Sequence, residues 1–134
     1  ESGLAVRVAS ALRVQGGIGT ILNDRGERNG AQVWGKPAKW FNYFGKIDGR
    51  HVGVMVAASP KNPRPSWLHA RDYGVVVTNP FPKQPRERRE PFVKTWVKQG
   101  ETFRLSYAVL IHESPGSKPL NHAEMAKKLL ASFE

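Results

Sequence analysis

The chain has 134 residues, 40% of them hydrophobic, and no cysteine. One domain of this length buries roughly two-thirds of its unfolded surface, enough for a core without metal or disulfide support. With no cysteine, disulfide frameworks and thiolate zinc sites are excluded, and no apolar run approaches the ~20 residues that span a bilayer. The formal net charge of +10 attracts polyanions such as nucleic acid, acidic polysaccharide or anionic lipid.

The chain opens ESGLAVRV, with neither Met nor a basic-then-apolar leader, and so reads as a processed product or an excised fragment. Leu4, Val6 and Val8 alternate with Ala5, Arg7 and Ala9, the period of two of a half-buried strand. Gly16-Gly17 and the run from Asn23 to Gly30 read as turn or loop. Trp40 to Ile47 and His51 to Ala57 are β-type runs separated by Asp48-Gly49. That spacing predicts a hairpin, because Gly accepts the positive φ of a tight primed turn. Tyr73 to Thr78 reads as an apolar strand buried on both faces. Phe92 to Val97 and Thr102 to Ile111 read as a second hairpin around Lys98-Gln99-Gly100-Glu101, with Phe103, Leu105, Tyr107, Val109 and Ile111 on one face. Only the end reads as helix. Asn121 caps it with Glu124 three residues on, and Ala126, Leu129, Leu130 and Phe133 form its apolar stripe. Short strands plus one terminal helix predict an all-β fold: an antiparallel β-sandwich with one C-terminal α-helix, residues 1–134 forming one domain.

The segment WLHARDYGVVVTNPF, Trp67 to Phe81, gathers polar groups at both ends of an apolar strand. Residues two apart on an extended chain project to one side, so His69 and Arg71 share a face while Asp72 points away. A His there transfers protons near neutral pH, an Arg grips a carboxylate, sulfate or hydroxyl, and Asp72 orients a neighbour. These three form the candidate catalytic group; a strand-end ion pair and a satisfied surface His are the plainer reading. Trp67, Trp40 and Trp34 could stack on a sugar ring or simply fill the core. Asn62 and Arg64 sit between prolines on a stiff loop that loses little entropy on binding a ligand. Asn79 precedes Pro80, where its side chain closes a turn or meets a ligand. His51 and His122 read as incidental, and His112 as the end of the last strand, where it could meet His69.

From Pro82 to Lys98 there are six Lys or Arg against Glu87 and Glu90, a local excess of four. Arg86, Arg88, Arg89 and Lys94 are the candidate polyanion contacts within it; a solvated basic loop is the plainer reading. Phe92, Lys94, Trp96 and Lys98 interleave aromatic and basic residues as a single-strand groove would, but no nucleic-acid motif accompanies them, so nucleic acid is not the expected partner. No glycine-rich phosphate loop, H-E-x-x-H or G-x-S-x-G occurs, and no cofactor or metal-ligand set is expected.

Val33-Trp34-Gly35-Lys36, Asp48-Gly49, Ser59 to Arg64, His69 to Gly74 and Asn79-Pro80-Phe81 are ordered motifs over most of the chain. With Gly100-Glu101-Thr102 and the later Leu110-Ile111-His112, they resemble the PmoA-like family, a domain of unknown function often labelled methane oxygenase PmoA. The resemblance implies a mutarotase-like sandwich in secreted or periplasmic, carbohydrate-related bacterial proteins. It also implies that the chain is the C-terminal part of a longer family domain. A His-rich segment of the first half would then be supplied by a missing N-terminal fragment or a partner chain. The expected function is binding or processing of a glycan or other polyhydroxylated ligand near Trp67 to Gly74. The alternative is a non-catalytic basic module for an acidic polysaccharide or another polyanion.

Overall fold

A computed structural model describes residues 3–82 and 95–134. Among these residues seven strands form two antiparallel sheets: β1 (Leu4–Arg7), β6 (Val75–Asn79) and β5 (Trp67–Arg71) in the order β1-β6-β5, and a four-stranded sheet in the order β2-β3-β4-β7. The second sheet comprises β2 (Thr20–Asn23), β3 (Trp40–Ile47), β4 (Arg50–Ala58) and β7 (Tyr107–Pro115). Two helices complete the described chain, α1 (Asn29–Val33) and α2 (His122–Ala131), with one 3-10 turn at Ser10–Leu12. The all-β sandwich with a C-terminal helix is therefore the architecture. No helix among the described residues is long and apolar enough to cross a membrane.

Side-chain alternation builds the core. Phe41 and Tyr43 on β3, Val56 on β4, Leu68 and Ala70 on β5 and Val76 on β6 all lie in one buried cluster with Ile21 and Val33. Residues between them point outward from each sheet. On the four-stranded sheet the outward side carries Asn42, Phe44, Met55 and Gly53, aligned by the pairings Asn42↔Met55 and Phe44↔Gly53. Helix α2 packs on β4 and β7, and Met55, Ala57 and Ala126 are buried there.

The β3–β4 hairpin has the predicted turn, Asp48 at φ 50° and Gly49 at φ 73°, the double positive φ that matches strand twist. The Asn121 cap is also present, its side chain accepting from the Glu124 amide at 3.1 Å.

Several expectations are corrected. Over the described residues the second hairpin is not seen: 95–106 hold no strand, β7 begins at Tyr107 and pairs with β4, and Phe92 to Lys94 lie outside the described residues. Its turn survives, with the Glu101 amide donating to the Lys98 carbonyl at 3.0 Å. Local turn chemistry is satisfied without strands, because β4 offers β7 nine paired residues, from Arg50↔Pro115 to Ala58↔Tyr107. The strand expected at Tyr73 begins at Val75; Tyr73 is half exposed and Gly74 turns the chain at φ 115°. It also buries one face, with Val76 and Thr78 inside while Val75 and Val77 are half-buried. Helix is not confined to the end, since α1 occupies Asn29–Val33. Asn29 itself takes φ 58° and accepts from the Ile21 amide at 2.9 Å, which ties α1 to β2.

Candidate functional site

Strand β5 places Trp67, His69 and Arg71 on one side and Leu68 and Ala70 on the core side, as a period of two requires. Trp34 covers that outer face. Its indole N–H donates to His69 Nδ1 at 3.1 Å, and the Arg71 guanidinium lies 5.2 Å from its ring centroid, a cation–π distance. The stretch after Trp34 runs along the edge of β5, with Gly35 N donating to the Leu68 carbonyl at 2.7 Å and Leu68 N to the Lys36 carbonyl at 2.8 Å. Trp67, which the sequence places in a loop-like stretch, is the first residue of β5 and only 6% exposed.

Asp72 points away from this face, as its position requires. Its carboxylate accepts from the Gly30 amide at 2.8 Å, at the start of α1, where a negative charge is favoured. Asn79 closes a turn by accepting from the Phe81 amide at 2.9 Å. Asn62 makes a two-way amide clamp on Ser106, accepting from its N–H at 2.8 Å and donating to its carbonyl at 3.0 Å. Arg64 donates to Thr95 Oγ1 at 3.0 Å and lies over the Phe81 ring. Arg86, Arg88, Arg89 and Lys94 lie outside the described residues.

A cleft of about 1200 Å³ opens elsewhere. One wall is the proline loop Ser59 to Ser66, the second is α2 with Ala126 and Leu130 and, past its end, Phe133, and Trp40 with Pro37 and Lys39 forms the third. Of the residues singled out from the sequence it gathers Trp40, Asn62 and Arg64, and not His69, Arg71 or Asp72. Its lining carries five cationic side chains (Arg25, Lys39, Lys61, Arg64, Lys127) against Asp24 and Glu134. Arg25 is paired with Glu27 at 3.3 Å. Among the described residues no ion pair engages Lys39 or Lys127. Ser66 also lines the cleft, and its buried hydroxyl has no hydrogen-bond partner among the described residues.

A polar group that the sequence did not reveal lies under α2. Asn42 is fully buried and bridges two imidazoles: its Nδ2 donates to His122 Nδ1 at 3.1 Å, and its Oδ1 accepts from His112 Nε2 at 2.8 Å. His122 also packs on Phe44 with centroids 4.5 Å apart. Burial lowers the pKa of His112, helped by the charges of His122 and His51; burial, then Arg28 and His51, lowers that of His122. His112 therefore meets Asn42 rather than ending its strand beside His69, and His122 is not incidental. The signal available was Asn42 itself, a lone polar residue at the centre of WFNYF. No group of three or more His, Cys, Asp or Glu among the described residues is placed to hold a metal ion.

Comparison with known families matches residues 1–128 to a family of unknown function (DUF6807). The chain belongs to that family. This overturns the PmoA-like resemblance: the motifs quoted for it are those of a DUF6807 chain, and no PmoA-like family is matched. No curated protein matches the chain, and no solved structure does. Membership of DUF6807 brings no activity with it, so the site must be argued from its own geometry.

Proposed function

We propose that this DUF6807 chain is a carbohydrate-binding module that takes an acidic glycan in the cleft between the proline loop and α2. The observation that carries the reading is the cleft's composition: Trp40 and the prolines 60, 63 and 65 beside Lys39, Lys61, Arg64 and Lys127. A sugar presents apolar C–H faces and a rim of hydroxyls, and an indole with fixed apolar neighbours suits the first. The cationic excess suits carboxylate or sulfate groups on the second. Ligand sites are commonly about 300–1,000 Å³, so a 1200 Å³ cleft accommodates more than one sugar ring. A stiff proline loop also lowers the ordering entropy that binding costs. A ligand of this kind is met at or beyond the cell surface, and the secreted or periplasmic setting belongs to the same proposal.

The reading is one of binding. Asp72 is engaged at the start of α1, so the candidate catalytic group holds no carboxylate directed to the face shared by His69 and Arg71.

Calorimetric titration with an oligogalacturonate and a neutral cello-oligosaccharide tests this. Trp40→Ala should weaken acidic binding about tenfold, the loss of one stacked aromatic. Lys39→Glu with Lys127→Glu should weaken the acidic ligand and spare the neutral one. Unchanged affinity in all variants rules out the cleft as the site.

A further inference from the structure

Helix α2 is one wall of the cleft, and His122 is its first residue. That residue packs on Phe44 of β3, and its hydrogen bond to the sheet is the bridge His122–Asn42–His112. We propose that this bridge is a pH-sensitive latch: it holds α2, and the cleft wall with it, against the sheet while both imidazoles are neutral, and releases the helix as they take up protons. The consequence for ligand binding rests on the cleft reading; the latch itself does not.

A single amide sets the limit. As placed, Asn42 Nδ2 needs a bare Nδ1 on His122, while Oδ1 takes the Nε2–H of His112. An amide offers one donor side and one acceptor side. If His122 gains a proton at Nδ1, two N–H groups face each other across 3.1 Å. Turning the amide over repairs that contact only if His112 moves its hydrogen from Nε2 to Nδ1. That nitrogen is buried, with no partner among the described residues, so the repair leaves a buried N–H unsatisfied, which carries a free-energy penalty. With both rings protonated no orientation of Asn42 satisfies both.

The surroundings oppose charge as well. His51 on β4 and Lys46 on β3 are register partners on this same side of the sheet. Arg28, just ahead of α1, acts electrostatically on His122. The nearby carboxylates are engaged: Glu124 on α2 by Lys128 at 3.0 Å, and Glu113 on β7 by Arg50. Burial lowers the proton affinity of both rings, helped by His122 and His51 at His112 and by Arg28 and His51 at His122. Gly53 leaves room for the arrangement, since a Cβ there would stand 2.6 Å from His112 Nε2.

The test is hydrogen exchange of the α2 amides, corrected for the intrinsic pH dependence of exchange, between about pH 7.5 and about pH 5, a window that brackets the ordinary imidazole pKa. The wild-type chain should lose α2 protection at least ~tenfold relative to β3, one tenfold step being equivalent to one pKa unit. Asn42→Asp supplies a carboxylate that accepts from both protonated rings, so its α2 protection should hold or rise on acidification. His122→Gln keeps an acceptor without a titrating ring and should flatten the response to within about twofold. It also covers the case in which the Asn42→Asp variant, with its buried carboxylate, fails to fold. Wild-type protection that is flat with pH overturns the latch. So does a loss in His122→Gln as large as in the wild type. Neither result bears on glycan affinity near neutral pH, so failure of the latch and failure of the cleft reading are separate outcomes.

Discussion

A Cβ on Gly53 would approach the Tyr43 carbonyl oxygen to 2.7 Å and His112 Nε2 to 2.6 Å. The imidazole can shift; the carbonyl, in a central strand, cannot move without disturbing the core. Gly53→Ala should therefore destabilise the fold by about 1–3 kcal/mol, the usual penalty of overpacking, measured by urea denaturation. His69→Ala is expected to act differently. It removes the acceptor of the Trp34 indole N–H, at a net stability loss of about 1 kcal/mol, yet it should leave glycan affinity within about twofold. A large affinity loss in that variant would move the site to the β5 face. Some residue-scale detail is readable in the sequence: the shared side of His69 and Arg71, and the turn closed by Asn79. The Asn62 clamp is not, because its partner Ser106 lies 44 residues away, and a single sequence carries no sign of that meeting.

Among elements, the hairpin Trp40–Ile47 and Arg50–Ala58 is legible because its turn needs two residues at positive φ and Asp48-Gly49 supplies them. Gly49→Ala, with open space around its Cβ but φ 73°, should lower stability by about 1 kcal/mol through backbone conformation alone. The short elements β2 and α1 leave little mark in the pattern, since tertiary bonds hold them, including those of Asn29 to Ile21 and Asp72 to Gly30. The start of β7 is hidden for a related reason. Its exposed Val109 and Ile111 lie on the core-facing side of an edge strand, so alternation there does not report burial. The α2 interface gives the pH prediction. His112 and His122 have lowered pKa values when folded, so the unfolded chain binds more protons below its ordinary imidazole pKa. Stability should be fully present above about pH 6.5 and fall as pH drops from there toward the lowered folded values. Thermal melts across that range check the sign, and His122→Gln should reduce the slope.

At the scale of the molecule, two sheets around one core follow from composition and strand patterning, and that much is visible without coordinates. The location of the cleft is not. It is assembled from a strand start at Trp40, a proline loop and a C-terminal helix whose lining begins at Ala123, 83 positions beyond Trp40 (123 − 40). The net charge of +10 draws acidic ligands from a distance whatever the site, and acidic-glycan affinity should fall as salt rises while neutral-sugar affinity stays nearly constant. That salt dependence alone does not separate the cleft from the basic run at Arg86 to Lys94, because both are cationic. Mapping does. Titrating an oligogalacturonate into the isotope-labelled chain and following amide chemical shifts locates the ligand residue by residue. With the glycan in the cleft, the largest changes fall on residues 37–40, 58–66 and 123–134. Changes centred on residues 83–94, or on His69 and Arg71, would contradict it.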